Sequence, residues 1–361
     1  AAIVVSGQLG DFLLAGFQVV PFAILALLAY VGVRHQVATV FALLWLALVL
    51  FGLAGASALF AFAALLARSG ALTSAMGGNA LGGDLLPPGG GSYLVAVSLW
   101  SLAGLVVAGL VLVPPLRRVL ARVLPIDPRS TVHAIALSVV TGATIIGFGQ
   151  LAAAGGVPPL LEMVEAVPDV AEGAGGNELL TMVYGFAWTL PAGLMAVGFP
   201  VVRTLGQTLQ RLGLVRPTGR QVIGALVLAV LMVGGATLLD AGISRVWQAL
   251  GWPRTDTAAF ERLLGAAISP LGAVVIGVTA GVGEEMVVRG ALQPRLGILL
   301  SNLFFASLHA FQYGFDGVLS VFVIGLILGV VRARSNTTTS SIVHGVYDFI
   351  LVMIAALGLF E

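Results

Sequence analysis

The chain has 361 residues, 59% of them hydrophobic and 9% charged, with a mean hydropathy of +1.07 and a formal net charge of +1. A soluble domain carries about 25% charged residues. This chain has too few to clothe a water-facing surface, which excludes a soluble enzyme, a nucleic-acid binder and a disordered protein.

A helix that spans the hydrocarbon core needs about 20 predominantly apolar residues. In chain order, candidates lie near 12–33, 37–67, 94–113, 131–154, 179–202, 221–241, 267–288, 296–311, 317–333 and 340–360. The second is long enough to tilt or project from the bilayer, and the eighth is short. The runs are continuously apolar rather than alternating, which disfavours a barrel. The N-terminus lacks a basic region and its first apolar run is too long for a cleavable signal peptide. The 48 glycines suit helices that pack closely in lipid. The expected fold is therefore all-α and polytopic, with about ten transmembrane helices.

All 17 basic residues are arginine. Connectors holding Arg34, then Arg117, Arg118, Arg122 and Arg129, then Arg203, Arg211, Arg216 and Arg220, alternate with acidic ones, and Arg295, Arg332 and Arg334 continue the series. The opposite connectors hold Asp84, then Glu162, Glu165, Asp169, Glu172 and Glu178, then Asp256, Glu261 and Asp316. The positive-inside rule puts the Arg-rich side in the cytoplasm and both termini outside. Of the two long outer connectors, 68–93 is rich in Gly and Pro and reads as an irregular loop. The other, 155–178, carries Leu160, Leu161, Val164 and Val167 among acids and reads as a short amphipathic helix, as does the basic stretch 203–220 on the inner face.

A charge near the bilayer centre costs at least about 2.5–3.5 kcal/mol, so ionisable residues inside the spans are the informative ones. Glu284, Glu285 and Arg289 fall in the seventh candidate, His309 in the eighth, and His344 and Asp348 in the tenth. Asp11 and Asp240 lie near segment ends, and His35 and His133 near boundaries, where a structural role is expected. Glu285 and Arg289 are four apart, hence on one helix face and able to pair. Glu284 is rotated by about 100° from Glu285 and has no partner within its own helix. Phe305 and His309 are also four apart, as are His344 and Asp348. Two glycine pairs, Gly277 with Gly281 and Gly325 with Gly329, would let these helices approach closely.

A carboxylate beside an imidazole in a poorly solvated cavity can activate water, and a second imidazole can stabilise the oxyanion formed on an amide carbonyl. Glu284, His309, His344 and Asp348 would supply these groups without a nucleophilic Ser or Cys. The same four could instead ligate a divalent metal such as zinc, although the H-E-x-x-H signature is absent; no cofactor is expected.

Glu284-Glu285-Met286-Val287-Val288-Arg289 matches an E-E-x-x-x-R motif, Phe305-Ala306-Ser307-Leu308-His309 matches F-x-x-x-H, and His344-Gly345-Val346-Tyr347-Asp348 is similar to H-x-x-x-N. In this order, each in an apolar segment, they resemble the CPBP family of CAAX prenyl endopeptidases and bacteriocin-processing or immunity (Abi) proteins. The resemblance covers roughly 267–361, and divides the chain into a 1–266 region of about six helices and a 267–361 core of about four. It implies an intramembrane glutamic endopeptidase with Glu284 as base, His309 helping to activate water, Glu285 and Arg289 as a supporting pair, Phe305 lining the site, and His344 and residue 348 at the oxyanion. Asp348 departs from the usual Asn. An ionised Asp cannot donate to an oxyanion, so it must be protonated, orient His344 or bind a cation.

The expected partners are membrane lipids and a membrane-associated peptide or lipidated protein, with no nucleic acid. The expected location is a bacterial or archaeal plasma membrane, with the site towards the cytoplasmic half. A non-catalytic immunity factor, scaffold or transporter-associated subunit is the rival reading.

Overall fold

The computed structural model describes residues 2–70, 89–166 and 178–359. The Gly/Pro stretch before Gly89 (with Asp84) and the segment holding Val167, Asp169 and Glu172 lie outside them. Helices α1 (Ala2–Gly32), α2 (Gln36–Arg68), α3 (Gly90–Leu110) and α5 (Thr131–Ala153) pack together, with the short α4 (Pro114–Leu120) in the connector between the last two. Their seam holds Leu25, Ala29, Ala42, Leu46, Leu50, Ala108 and Ile135. Two short amphipathic helices form where expected: α6 (Pro159–Ala166) and α8 (Leu205–Leu212). Between them α7 (Glu178–Ala196) lies along α1. Among the described residues there are no strands.

The helix ends follow local capping chemistry. Thr204 and Thr218 each build a reciprocal capping box, with Gln207 and Gln221. Asn336 accepts from the Thr339 amide at the start of α14 (Thr337–Ala356). Gly213 and Gly251, at φ 75° and 65°, close α8 and α9 (Gly219–Leu250) in the left-handed conformation that glycine adopts without strain.

Helix α9 is longer than the apolar pattern indicated. It continues through Ser244, Arg245 and Gln248, which lower the local hydropathy without ending the hydrogen-bond ladder. Asp240, expected near a segment end, is therefore ten residues inside a 32-residue helix. After α10 (Thr257–Leu264) comes α11 (Pro270–Val278), which widens into π-helix over Thr279–Glu284 and Met286–Leu292 before α12 (Gln293–Leu308) and α13 (Phe315–Arg334).

Nine helices of the described residues are long and apolar enough to cross a membrane, against about ten expected. The difference lies in the 39-residue element Pro270–Leu308, which contains both the seventh and eighth candidates. Gly297 breaks it with φ 79°. On a straight helix residues 289 and 305 would stand about 24 Å apart, yet the Arg289 guanidinium lies 4.5 Å from the Phe305 ring centroid. The chain thus reverses at Gly297 into an antiparallel hairpin. Its second leg brings Phe311 and Gly314 to the acidic end, where the Phe311 carbonyl accepts from the Leu160 amide at 3.2 Å and the Gly314 amide donates to Thr255 Oγ1 at 2.9 Å.

Candidate active site

Close helix approach positions the site. A Cβ built on Gly281 would stand 2.6 Å from Gly345 Cα, and one on Gly277 2.6 Å from the Gly345 carbonyl oxygen, so α11 and α14 cross backbone to backbone. This crossing sets His344 against the Glu284–Glu285 stretch. The second glycine pair works differently, by exposing carbonyls on α13. Gly325 O accepts from Arg289 at 2.9 Å, and Gly329 O accepts from Gln293 Nε2 at 2.8 Å. Side chains at these glycines would strike Asn302 and Ile298.

Glu285 and Arg289 form the expected pair, at 3.1 Å, with side chains 0% and 1% exposed. Besides Gly325 O and Asn302 on the Arg289 side, three further groups surround the pair. His344 Nδ1 lies 3.1 Å from Glu285 Oε1, the Ser340 hydroxyl donates to Glu285 Oε2, and the Phe305 ring covers the guanidinium. Burial of two ions is tolerable only when most of their hydrogen-bonding capacity is met; here Arg289 Nη1 has the ion pair with Glu285 but no hydrogen bond of its own. Glu284, by contrast, has a 40% exposed side chain and lies 3.9 Å from His344 Nε2. The widened π-helical turns still send the two adjacent carboxylates to different faces, and π-helical bulges recur at functional sites.

Asp348 Oδ2 lies 3.3 Å from His344 Nε2. Of the three options the sequence left for Asp348, this geometry is that of orienting His344, whose ring is held between Glu285 and Asp348. His309 is less tightly joined. Its Nδ1 contacts the Phe305 carbonyl at 3.0 Å, and the Phe305 ring packs edge-on against both imidazoles, with centroids 4.8 Å from His309 and 6.1 Å from His344. No hydrogen bond or ion pair among the described residues links His309 directly to Glu284 or His344. Nor does any group of three or more His, Asp or Glu side chains among them have the arrangement of a metal site.

Several polar neighbours escaped sequence reasoning. Asn302 donates to the Phe322 carbonyl at 2.7 Å and faces Arg289 at 3.5 Å, fastening the hairpin to α13. Tyr313, in the turn after α12, stacks on His309 at 6.2 Å. Burial, together with Asp348, Asp240 and Glu284, pushes its hydroxyl pKa up. Asp240 accepts from Ser320. A polar residue inside an apolar run was the available signal for Asn302 and Asp240, whereas Ser340 and Tyr313 carried none. His133 takes the structural role expected, its Nδ1 accepting from the Asp127 amide at 2.9 Å.

The fold and this crossing define an all-α polytopic membrane protein whose C-terminal helices bring together two adjacent glutamates, of which Glu285 is buried and Glu284 partly exposed, with His344 and Asp348. Residues 266–350, roughly a quarter of the chain and the stretch carrying all three motifs, match the family described as type II CAAX prenyl endopeptidase Rce1-like. No curated protein and no solved structure matches the chain.

Proposed function

We propose that the C-terminal helices form an intramembrane endopeptidase that hydrolyses a peptide bond in a membrane-associated peptide or lipidated protein. The observation that carries this reading is the division of labour between adjacent acids. Glu285 is spent on Arg289, Ser340 and His344, while Glu284 is partly exposed beside an imidazole. In this reading Glu284 takes a proton from water, which attacks the scissile carbonyl, and His309 helps to orient that water. His344 donates through Nε2 to the developing oxyanion, and the proton held by Glu284 passes to the leaving amine. Phe305 lines the cleft and Glu285–Arg289 hold the helices in register.

Asp348 gives this site its own character. With both acids ionised, each nitrogen of His344 must donate, and Nε2 is occupied until Asp348 yields it. That occupied donor is also the observation favouring the rival reading, a non-catalytic membrane protein. The positive-inside rule further leads us to place the Arg-rich end in the cytoplasm. On that orientation, the position of His344, seven residues or about 10 Å from the start of α14, supports a site towards the cytoplasmic half of the bilayer.

The test is cleavage of a membrane-peptide library by the purified full chain and by Glu284→Gln, His344→Ala and Asp348→Asn. The expected loss in kcat is about 10²–10⁴-fold for Glu284→Gln and about 10²–10³-fold for His344→Ala, with no loss for Asp348→Asn. Equal rates for wild type and Glu284→Gln would remove the basis of the peptidase reading and leave the non-catalytic one.

A further inference from the structure

At the Arg-rich end, chain segments distant in sequence meet in a knot of arginines. Arg295 is 5% exposed. It donates to the Ala196 and Ala291 carbonyls at 3.0 and 3.3 Å and to the Tyr30 hydroxyl, its guanidinium 6.0 Å from the Tyr30 ring. Arg203 donates to the Val197 carbonyl. Its Nη1 and the Tyr30 ring each come within 3.0 Å of where a Cβ on Gly198 would stand, so the two side chains face one spot. Arg211 donates to the Gly290 carbonyl at 3.3 Å. Burial and the neighbouring Arg295, Arg203 and Arg332 press its pKa down to about 10.

None of these four arginines has a carboxylate partner among the described residues. The acidic end is different, because Arg68 pairs with Glu162 at 3.5 Å and Arg262 with Glu165 at 3.4 Å. Carbonyls at a helix C-terminus offset only about half a charge, so the end of α7 cannot balance Arg203 and Arg295, still less the whole group. The knot is short of an anion.

We propose that Arg203, Arg211 and Arg295, with Tyr30, hold the phosphate of an anionic phospholipid headgroup. Planar guanidinium forks match the oxygens of a phosphate diester, and a phenol adds a further donor. The knot lies where α1 and α7 end and the hairpin turns, at the ends of apolar spans where headgroups would lie. Val33 and Leu205, 63% and 49% exposed, flank it with apolar surface suited to acyl chains. Nothing in this assignment depends on peptidase activity.

Thermal unfolding of the full chain in detergent, with short-chain phosphatidylglycerol, phosphatidylcholine or inorganic phosphate added, tests the proposal. Phosphatidylglycerol should raise the Tm, and neither other probe should. Arg203→Gln/Arg211→Gln should lose that rise, while Arg118→Gln/Arg122→Gln, which removes as much charge from exposed positions, should keep it. The proposal is overturned if phosphatidylglycerol gives no rise, if the rise survives Arg203→Gln/Arg211→Gln, or if it is lost equally in the control. An equal rise with free phosphate would make the knot a soluble-anion site, and an equal rise with phosphatidylcholine would remove the charge requirement; either overturns it. Should the double variant not fold, native mass spectrometry of the wild type decides. Retention of phosphatidylglycerol over phosphatidylcholine supports the headgroup site, and no preference overturns it.

Discussion

Two adjacent glutamates are chemically identical, and their surroundings alone divide them. Glu285 is fully buried with a guanidinium, an imidazole and a hydroxyl around it. Removing one member of such a pair strands the other charge in a dry interior, which costs about 3–5 kcal/mol. Glu285→Ala should therefore lower stability by that amount and be seen as a large fall in Tm. Glu284→Gln, at a partly exposed position whose nearest ionic contact is His344 at 3.9 Å, should leave Tm close to wild type. If both substitutions lowered Tm alike, Glu284 would be a structural residue like its neighbour. Glu162 allows a pH test outside the membrane segments. Burial lifts its carboxyl above the ordinary value despite the pull of Arg68. A carboxyl raised in the folded state binds its proton more readily there. Its stabilising contribution is thus present below the ordinary pKa and is lost as pH climbs through the raised one. Wild type should lose stability over that interval, whereas Glu162→Gln should not, as melting at a series of pH values would reveal. Arg68, 45% exposed, can lose this partner at little cost.

At the scale of elements, glycine decides the architecture twice by opposite means. At Gly277, Gly281 and Gly345 it removes side chains so that α11 and α14 touch, and at Gly297 its positive φ turns one helical run back on itself. Gly281→Leu should push α14 away and separate His344 from both glutamates. The expected result is loss of the site together with a drop of at least about 1–3 kcal/mol in stability, measured as reduced Tm. Leucine at Gly234, which has open space around it, is the control and should be tolerated. The i, i+4 relation of Glu285 to Arg289 and the separate face of Glu284 were legible in the sequence because both depend on local helix geometry. The reversal was legible too, since Arg289, Gln293 and Arg295 separate the seventh and eighth apolar segments, but its exact place was not, because a lone Gly297 reads as one more small residue. Nor was the depth of Asp240, since polar residues beyond it masked the continuation of α9.

For the whole molecule, the hairpin supplies the extra passage that separates nine long helices from the ten apolar segments of the sequence. Its second leg reaches the acidic connectors, so an orientation drawn from the arginines has a direct test. The chain has 0 Cys, which makes single introduced cysteines clean reporters. In intact cells a membrane-impermeant maleimide should label Ala258→Cys on the acidic side. Gly206→Cys on the Arg-rich side should react only after permeabilisation, and the reverse pattern would invert the proposed topology. Composition and apolar run length by themselves determined that this is a helical membrane protein, because the cost of exposing backbone to lipid leaves few alternatives. The spacing of titratable residues marked its C-terminal quarter as the candidate site. Only the tertiary structure decided that Asp348 meets His344, that Phe305 packs against both imidazoles, and that distant arginines share one unneutralised knot. Each of these depends on which helices approach one another, and in lipid that choice rests on close backbone fit and polar contact rather than on apolarity that every span shares.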